Sequence, residues 1–229
     1  LNEKPIFVEP TEKITFPEDK KGYENTTLKF DDLDTAKKFR NDRFELVTEV
    51  DGFYLDPETG VLTTTRKFDY ETEEKTYELT VRVYDVSGDE KLSVTGKVIV
   101  ELENVNEPPF LNEIVFTVLE SAPIGFELEK PLEADDVDGP DTKFNFYIFD
   151  GTKEVSSTKE FKLDSKTGVF TVASSLDYET TESYSIKIRV RDEHDGYSDT
   201  TVTINVVDVN EAPSVKVDTI YVKENQKIN

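Results

Sequence analysis

The sequence predicts an all-β protein made of tandem antiparallel Greek-key β-sandwiches, about seven strands each, in an elongated array. Three observations predict it: a repeat of domain length, apolar alternation with a period of two, and turn chemistry between the alternating runs. Phe53-Tyr54-Leu55-Asp56-Pro57-Glu58-Thr59-Gly60-Val61-Leu62, followed by Phe68-Asp69-Tyr70-Glu71, returns as Phe161-Lys162-Leu163-Asp164-Ser165-Lys166-Thr167-Gly168-Val169-Phe170, followed by Leu176-Asp177-Tyr178-Glu179. Both halves close on Val-Asn-Glu-x-Pro, at Val105 to Pro109 and at Val209 to Pro213. Gly60 and Gly168 lie 108 residues apart and Asn106 and Asn210 lie 104 apart, the length of one small domain and too long for a solenoid unit.

The elements follow in order. In Tyr77-Glu78-Leu79-Thr80-Val81-Arg82-Val83, Leu79 and Val81 share one face of a strand while Glu78, Thr80 and Arg82 share the other. Tyr184-Ser185-Ile186-Lys187-Ile188-Arg189-Val190 repeats this pattern. The closing strands alternate likewise, through Val98, Val100 and Leu102 and through Val202, Ile204 and Val206. Asp56 to Gly60 and Asp164 to Gly168 are turns in which Gly supplies a positive φ, and Asp56 and Asp164 are expected to cap them and bind nothing. Pro108, Pro109 and Pro213 mark joints, since a missing N–H and a fixed φ stop a strand from continuing. The domain reading is 1–4 as the end of a preceding linker, 5–107 and 108–211 as two complete repeats, and 212–229 as the start of a third.

Composition bounds the function. The chain has 229 residues, 35% of them apolar, with 50 acids against 27 bases and a formal charge of -23. That charge repels nucleic acid phosphates and anionic lipid and favours divalent cations. No apolar run reaches about 18 residues, so this segment is expected neither to span nor to touch a membrane, nor to carry a signal peptide. Cys is absent, which excludes disulfides and thiolate metal sites. Asn25-Thr26-Thr27 is a single glycosylation sequon.

The repeated acids sit in motifs that resemble the cadherin repeat. Val118-Leu119-Glu120-Ser121-Ala122-Pro123-Ile124-Gly125 resembles its x-Glu-Asn-x-Pro-x-Gly opening, and Ala134-Asp135-Asp136-Val137-Asp138-Gly139 its Ala-x-Asp-x-Asp motif. The Asp-Tyr-Glu triplets resemble its Leu-Asp-Arg/Tyr-Glu motif, and Val-Asn-Glu-x-Pro its linker. The resemblance covers the whole chain. It implies calcium between successive repeats, about three ions at each complete joint, held by oxygen ligands alone. At the central joint it implies Glu18, Asp69 and Glu71 from the first repeat, Asn104, Asn106 and Glu107 from the linker, and Asp136, Asp138 and Asp192 from the second. Glu120, Asp177, Glu179, Asp208, Asn210 and Glu211 would form the lower half of a following joint. Asn2 and Glu3 would end a preceding linker, completed by Asp32, Asp34 and Asp85.

Charge arithmetic supports the central set. Its seven carboxylates repel one another, and three divalent ions would leave the site almost neutral. Asn104 stands where the family usually has Asp, which removes one charge; the linker is one residue shorter than the commonest form, and Phe30 to Asp34 lacks the usual Ala. Tyr70 and Tyr178 are expected to pack into the sandwich and His194, the one histidine, to lie exposed in a loop. Paired carboxylates could serve a glycosidase, but acids gathered at domain ends without any Trp do not suggest an aromatic-lined pocket, and no enzyme is expected.

The resemblance further implies an extracellular segment of a single-pass plasma-membrane protein, long or non-classical, serving calcium-dependent adhesion or a mechanical link. Its partner would be another cadherin ectodomain, the same or different. The alternative is a non-adhesive calcium-binding spacer, or a ligand-binding module, of a secreted or bacterial surface protein.

Overall fold

Alternating burial along short strands builds each half of the chain. The computed structural model describes residues 5–8, 13–31, 42–85, 92–139, 143–213 and 224, and divides into two units, Leu1–Glu107 and Pro108–Asn229. The described residues contain strands and turns and no helix.

In the first unit, β1 (Ile6–Val8), β2 (Ile14–Pro17), β3 (Glu24–Thr27), β4 (Lys29–Asp31), β5 (Asp42–Leu46), β6 (Phe53–Leu55), β7 (Val61–Thr64), β8 (Thr76–Asp85) and β9 (Ser93–Glu103) follow in order. They form a sheet β2-β9-β8-β5, a sheet β3-β7-β6, and the pair β1-β4. Leu79, Val81, Val83, Val98 and Val100 on the first sheet are fully buried with Phe16 and pack against Phe53, Leu55 and Leu62 of the second. Glu78 on the opposite face is exposed, as the alternation requires. Each large apolar side chain buried this way contributes about 1.5–3 kcal/mol.

The second unit repeats the plan with β10 (Phe110–Leu111), β11 (Ile114–Leu119), β12 (Ala134–Asp135), β13 (Asn145–Phe149), β14 (Glu154–Val155), β15 (Phe161–Leu163), β16 (Phe170–Val172), β17 (Ser183–Arg191) and β18 (Tyr197–Val207). The sheet order is β11-β18-β17-β13-β14, with β15-β16 and β10-β12 as separate pairs. Phe161, Phe170, Ile188 and Ile204 lie at the centre of its core.

One feature departs from the antiparallel expectation. β2 runs parallel to β9, and β11 runs parallel to β18. An even number of chain reversals separates the first and last strands of a seven-stranded sandwich, so they point the same way when they meet in one sheet. Alternation of side chains reports which face is buried and carries no information on strand direction.

The turns carry the expected chemistry. Asp56 Oδ1 accepts the Glu58 and Thr59 N–H groups at 3.0 and 2.7 Å, and Asp164 Oδ1 accepts those of Lys166 and Thr167 at 2.9 Å each. The Thr59 and Thr167 N–H bonds, first among several, hold the two carboxyls below their usual range. Gly60 has φ 71° and a Cβ there would lie 2.7 Å from Phe44 Cζ, so both backbone and packing require glycine.

Candidate metal centre

Glu18 follows β2 and is only 2% exposed although it is an acid. Its Oε1 accepts the Val105 N–H at 2.8 Å, its Oε2 accepts the Tyr70 N–H, and its own carbonyl accepts the Phe68 N–H at 2.8 Å. One side chain thus ties the end of β2 to the 68–70 loop and to the segment leaving β9. Phe68 is buried and Tyr70 is half-buried against the core, so their neighbours Asp69 and Glu71 are turned the other way. Carboxylate oxygens of Glu18, Asp69 and Glu71 consequently fall within 4.8 Å of one another. Asp69 is set by a short turn in which its Oδ1 accepts the Thr72 N–H and its carbonyl accepts the Glu73 N–H, both at 2.9 Å. Asn104 Nδ2 donates to Glu71 Oε1 at 3.1 Å.

The second unit reproduces this arrangement with a change of one member. Glu120, 7% exposed, accepts the Val209 N–H at 2.7 Å through Oε1 and the Tyr178 N–H at 2.8 Å through Oε2. Asp177 Oδ1 accepts the Thr180 N–H at 2.9 Å, as Asp69 does for Thr72. Here the acids within 4.8 Å are Glu120, Glu179 and Asp208. Asp208 occupies the sequence position of Asn104, and it replaces the triplet's first Asp in the triad.

At the other end of the second unit, β12 pairs with β10 and leads into Asp136 and Asp138. Asp136 Oδ1 accepts the Asp138 N–H at 3.0 Å, while its Oδ2 is buried without a hydrogen-bond partner. Burial, followed by the charges of Asp138 and Asp192, pushes the Asp136 carboxyl up. Asp192, 4% exposed, accepts the His194 and Gly196 N–H groups through Oδ1 at 2.7 and 2.9 Å, across a turn in which Asp195 takes φ 68°. His194 itself is exposed. An anionic oxygen buried without a donor costs about 1–3 kcal/mol or more, and a bound cation would remove that cost.

The remaining sequence candidates are placed less closely. Asn106 Nδ2 donates to the Glu107 carbonyl at 3.2 Å, and Asn210 and Glu211 are exposed beyond β18. Asn2, Glu3, Asp32 and Asp34 lie outside the described residues, and Asp85 closes β8 with its side chain outside them. The donors brought together are carboxylates and an amide, with neither His nor thiolate, which fits calcium's adaptable oxygen shell better than a transition metal.

The cadherin domain model matches residues 12–103 and 114–207, one copy in each unit. The chain belongs to the cadherin family. Among its curated cadherin relatives, rat Protocadherin Fat 2 is 33% identical over 165 residues, covering 70% of this chain and 4% of that protein. Human Protocadherin Fat 4 is 31% identical over 173 residues, covering 72% and 3%, and Protein dachsous of Drosophila melanogaster 34% over 143 residues, covering 61% and 4%. The chain therefore spans a small part of the cadherins it matches. The solved human Protocadherin-24 EC1-2 is 21% identical with a TM-score of 0.64, covering 91% of this chain and all of that one, and shares the fold. The human Desmocollin-1 ectodomain is 26% identical with a TM-score of 0.55, covering 92% and 43%.

Sequence reading missed two residues of the first cadherin repeat, Arg66 and Glu73, which stand beside the Asp69 turn. They border an open groove of about 760 Å³ that also involves Asp51, Lys75 and Tyr77. Arg66 pairs with both Asp51 and Glu73 and, chiefly through its hydrogen bonds, keeps Glu73 below the usual carboxylate range. A general acid needs the opposite shift.

Proposed function

We propose that this chain is a segment of a calcium-dependent adhesion or mechanical-link ectodomain, extracellular and non-catalytic, in which calcium bound between successive cadherin repeats stiffens the array. The repeats are read as 5–107 and 108–211. The observation that carries this reading is the buried, twice hydrogen-bonded glutamate at the base of each unit, with two further acids beside it: Glu18 with Asp69 and Glu71, and Glu120 with Glu179 and Asp208. The lower ligands of the central joint are Glu18, Asp69, Glu71, Asn104, Asn106 and Glu107. Asp136, Asp138 and Asp192 serve it from the second repeat, with about three ions when full. Ligands drawn from two repeats convert a linker into a fixed angle because each must come within about 2.6 Å of an ion. The partner is another cadherin ectodomain, the same or different, and the parent is anchored in the plasma membrane.

Thermal unfolding at millimolar calcium against excess chelator, run with small-angle scattering, tests the reading. Calcium at a hundredfold excess over Kd stabilises the native state by about 2.7 kcal/mol per independent site and should give a stiffer scattering profile. Glu71→Ala should weaken calcium binding and loosen the joint while both sandwiches stay folded in chelator. Unchanged calcium affinity and scattering in that variant would sink the ligand assignment. Bead aggregation by the full ectodomain separates adhesion from a spacer role.

A further inference from the structure

We infer that Glu73 and Arg66 are positioning residues for the calcium ligands of the first repeat: Glu73 fixes the backbone of Asp69, and Arg66 holds Glu73 in the pose that does so. The inference rests on the calcium reading above. Glu73 Oε1 accepts the Asp69 N–H at 3.1 Å, and the Glu73 N–H donates to the Asp69 carbonyl at 2.9 Å, so the turn that presents Asp69 is closed from both sides. Arg66 grips Glu73 with two bonds, Nη1 to Oε1 at 2.9 Å and Nη2 to Oε2 at 2.6 Å.

Arg66 is held in turn. Its Nε donates to Asp51 at 2.9 Å, its Nη1 donates to the Lys67 carbonyl at 2.8 Å, and its guanidinium lies 4.1 Å from the centroid of the Phe68 ring. Gly52 makes room for this packing. A Cβ there would lie 2.4 Å from Phe68 Cζ and 3.2 Å from Arg66 Nε, and its φ of 99° already favours glycine. The clamp therefore connects the Asp51-Gly52 turn, the buried Phe68 and the ligand loop.

The second repeat shows that the fold does not demand it. Ser174, Thr181 and Lys159 stand where the first repeat has Arg66, Glu73 and Asp51, yet the Asp177 turn closes on Thr180 and Thr181 at 2.9 Å each. What differs is the triad. In the second repeat Asp208 supplies the third carboxylate; in the first, Asn104 occupies that position and Asp69 supplies it. The clamp is present where Asp69 has to do this, and absent where Asp208 does. Both Glu73 oxygens are engaged by Arg66, which suits Glu73 to orient a ligand and not to be one.

Calcium titration of the full chain by calorimetry, paired with thermal unfolding in excess chelator, tests the assignment on three variants. Glu73→Ala should weaken calcium binding at the first repeat about tenfold, the lower end of what outer-shell partners contribute, with a small change in the chelator midpoint. Glu73→Asp keeps the charge but withdraws the acceptor, and should weaken binding similarly. Glu73→Gln keeps the acceptor for the Asp69 N–H but sets its amide NH2 against Arg66 Nη2, so it should weaken binding by about threefold, less than Glu73→Ala does. Wild-type affinity in Glu73→Ala and Glu73→Asp would overturn the inference. So would a loss in Glu73→Gln equal to that in Glu73→Ala, which would mean that charge alone matters. A wild-type chain that takes up no calcium would overturn the calcium reading and this inference with it, whereas normal uptake with inert Glu73 variants would overturn this inference alone.

Discussion

Glu18→Ala in chelator isolates what the buried glutamate does for the fold. Truncation leaves the Val105 and Tyr70 N–H groups without their acceptor at a site where Glu18 is 2% exposed. Each buried donor left unpaired costs about 1–3 kcal/mol, so the pair costs about 2–6 kcal/mol. Opposing this, truncation removes a charge whose oxygens lie within 4.8 Å of those of Asp69 and Glu71. After solvent and salt screening that relief is about 1–2 kcal/mol, because both neighbours are partly or fully solvated. The two ranges leave a net loss of about 0–5 kcal/mol, or about 2–3 kcal/mol at their midpoints, so the hydrogen bonds win. Glu18→Gln removes the same repulsion but keeps an acceptor for one of the two donors, which brings it close to neutral. Urea unfolding followed by tyrosine fluorescence, with hydrogen exchange assigning the transition to residues 13–107, reads the difference. An unchanged midpoint in Glu18→Ala, or a Glu18→Gln less stable than Glu18→Ala, would refute the reasoning.

Asn104→Asp supplies the first repeat with the acid that Asp208 gives the second, and should tighten calcium binding by about threefold to tenfold in a chelator-competition titration; equal affinity would show that the amide is as good a ligand. Arg189 donates to Asp199 at 2.7 and 2.9 Å and Lys187 reaches it at 3.0 Å, which holds the Asp199 carboxyl down to about 2. The folded value lies below the unfolded value of about 3.9, so this stabilisation is complete above about pH 4 and is lost as pH falls toward 2. Asp199→Asn should flatten the acid limb of the second unit's stability curve by about 1 kcal/mol, screening included, and an unaltered limb between those pH values would exclude the pair as a source of acid sensitivity. Gly60→Ala should cost about 1–3 kcal/mol from strain and from the Phe44 clash, whereas Gly22→Ala, at φ 75° with nothing within 4 Å, should cost about 1 kcal/mol. Equal midpoints for the two variants would remove the packing component.

The strands, the turns and the paired acids of the Asp-Tyr-Glu loops were legible because they repeat and because each needs a residue pattern that physics restricts. An aromatic that must face the core leaves its two neighbours facing out, so Asp69 and Glu71 come as a pair, as do Asp177 and Glu179. Which of the acids named from the sequence takes the third place in each triad was not legible. Asp69 fills it in one repeat and Asp208 in the other, a choice set by side-chain reach and by the Asn104 bond to Glu71, neither of which spacing encodes. Arg66 and Glu73 escaped for the converse reason: reading by repetition discards what occurs once, and their counterparts are Ser174 and Thr181.

The acids at the base of each unit therefore divide by what holds them. Glu18 and Glu120 are fixed by two backbone donors each and are nearly or wholly buried, so their geometry does not depend on a cation. Glu179 and Asp208 are exposed, and Glu71 meets Asn104, an amide that must turn its oxygen inward before it can ligate. On the proposed ligand assignment, a cation arriving at the first unit would have to displace that hydrogen bond, while one arriving at the second would meet three carboxylates directly. On that assignment the cost of a neutral amide in place of a carboxylate would fall on affinity, and the clamp on Asp69 would offset part of it by reducing what must be ordered on binding. The proposed assignment therefore predicts that two repeats with the same backbone plan respond to calcium over different concentration ranges.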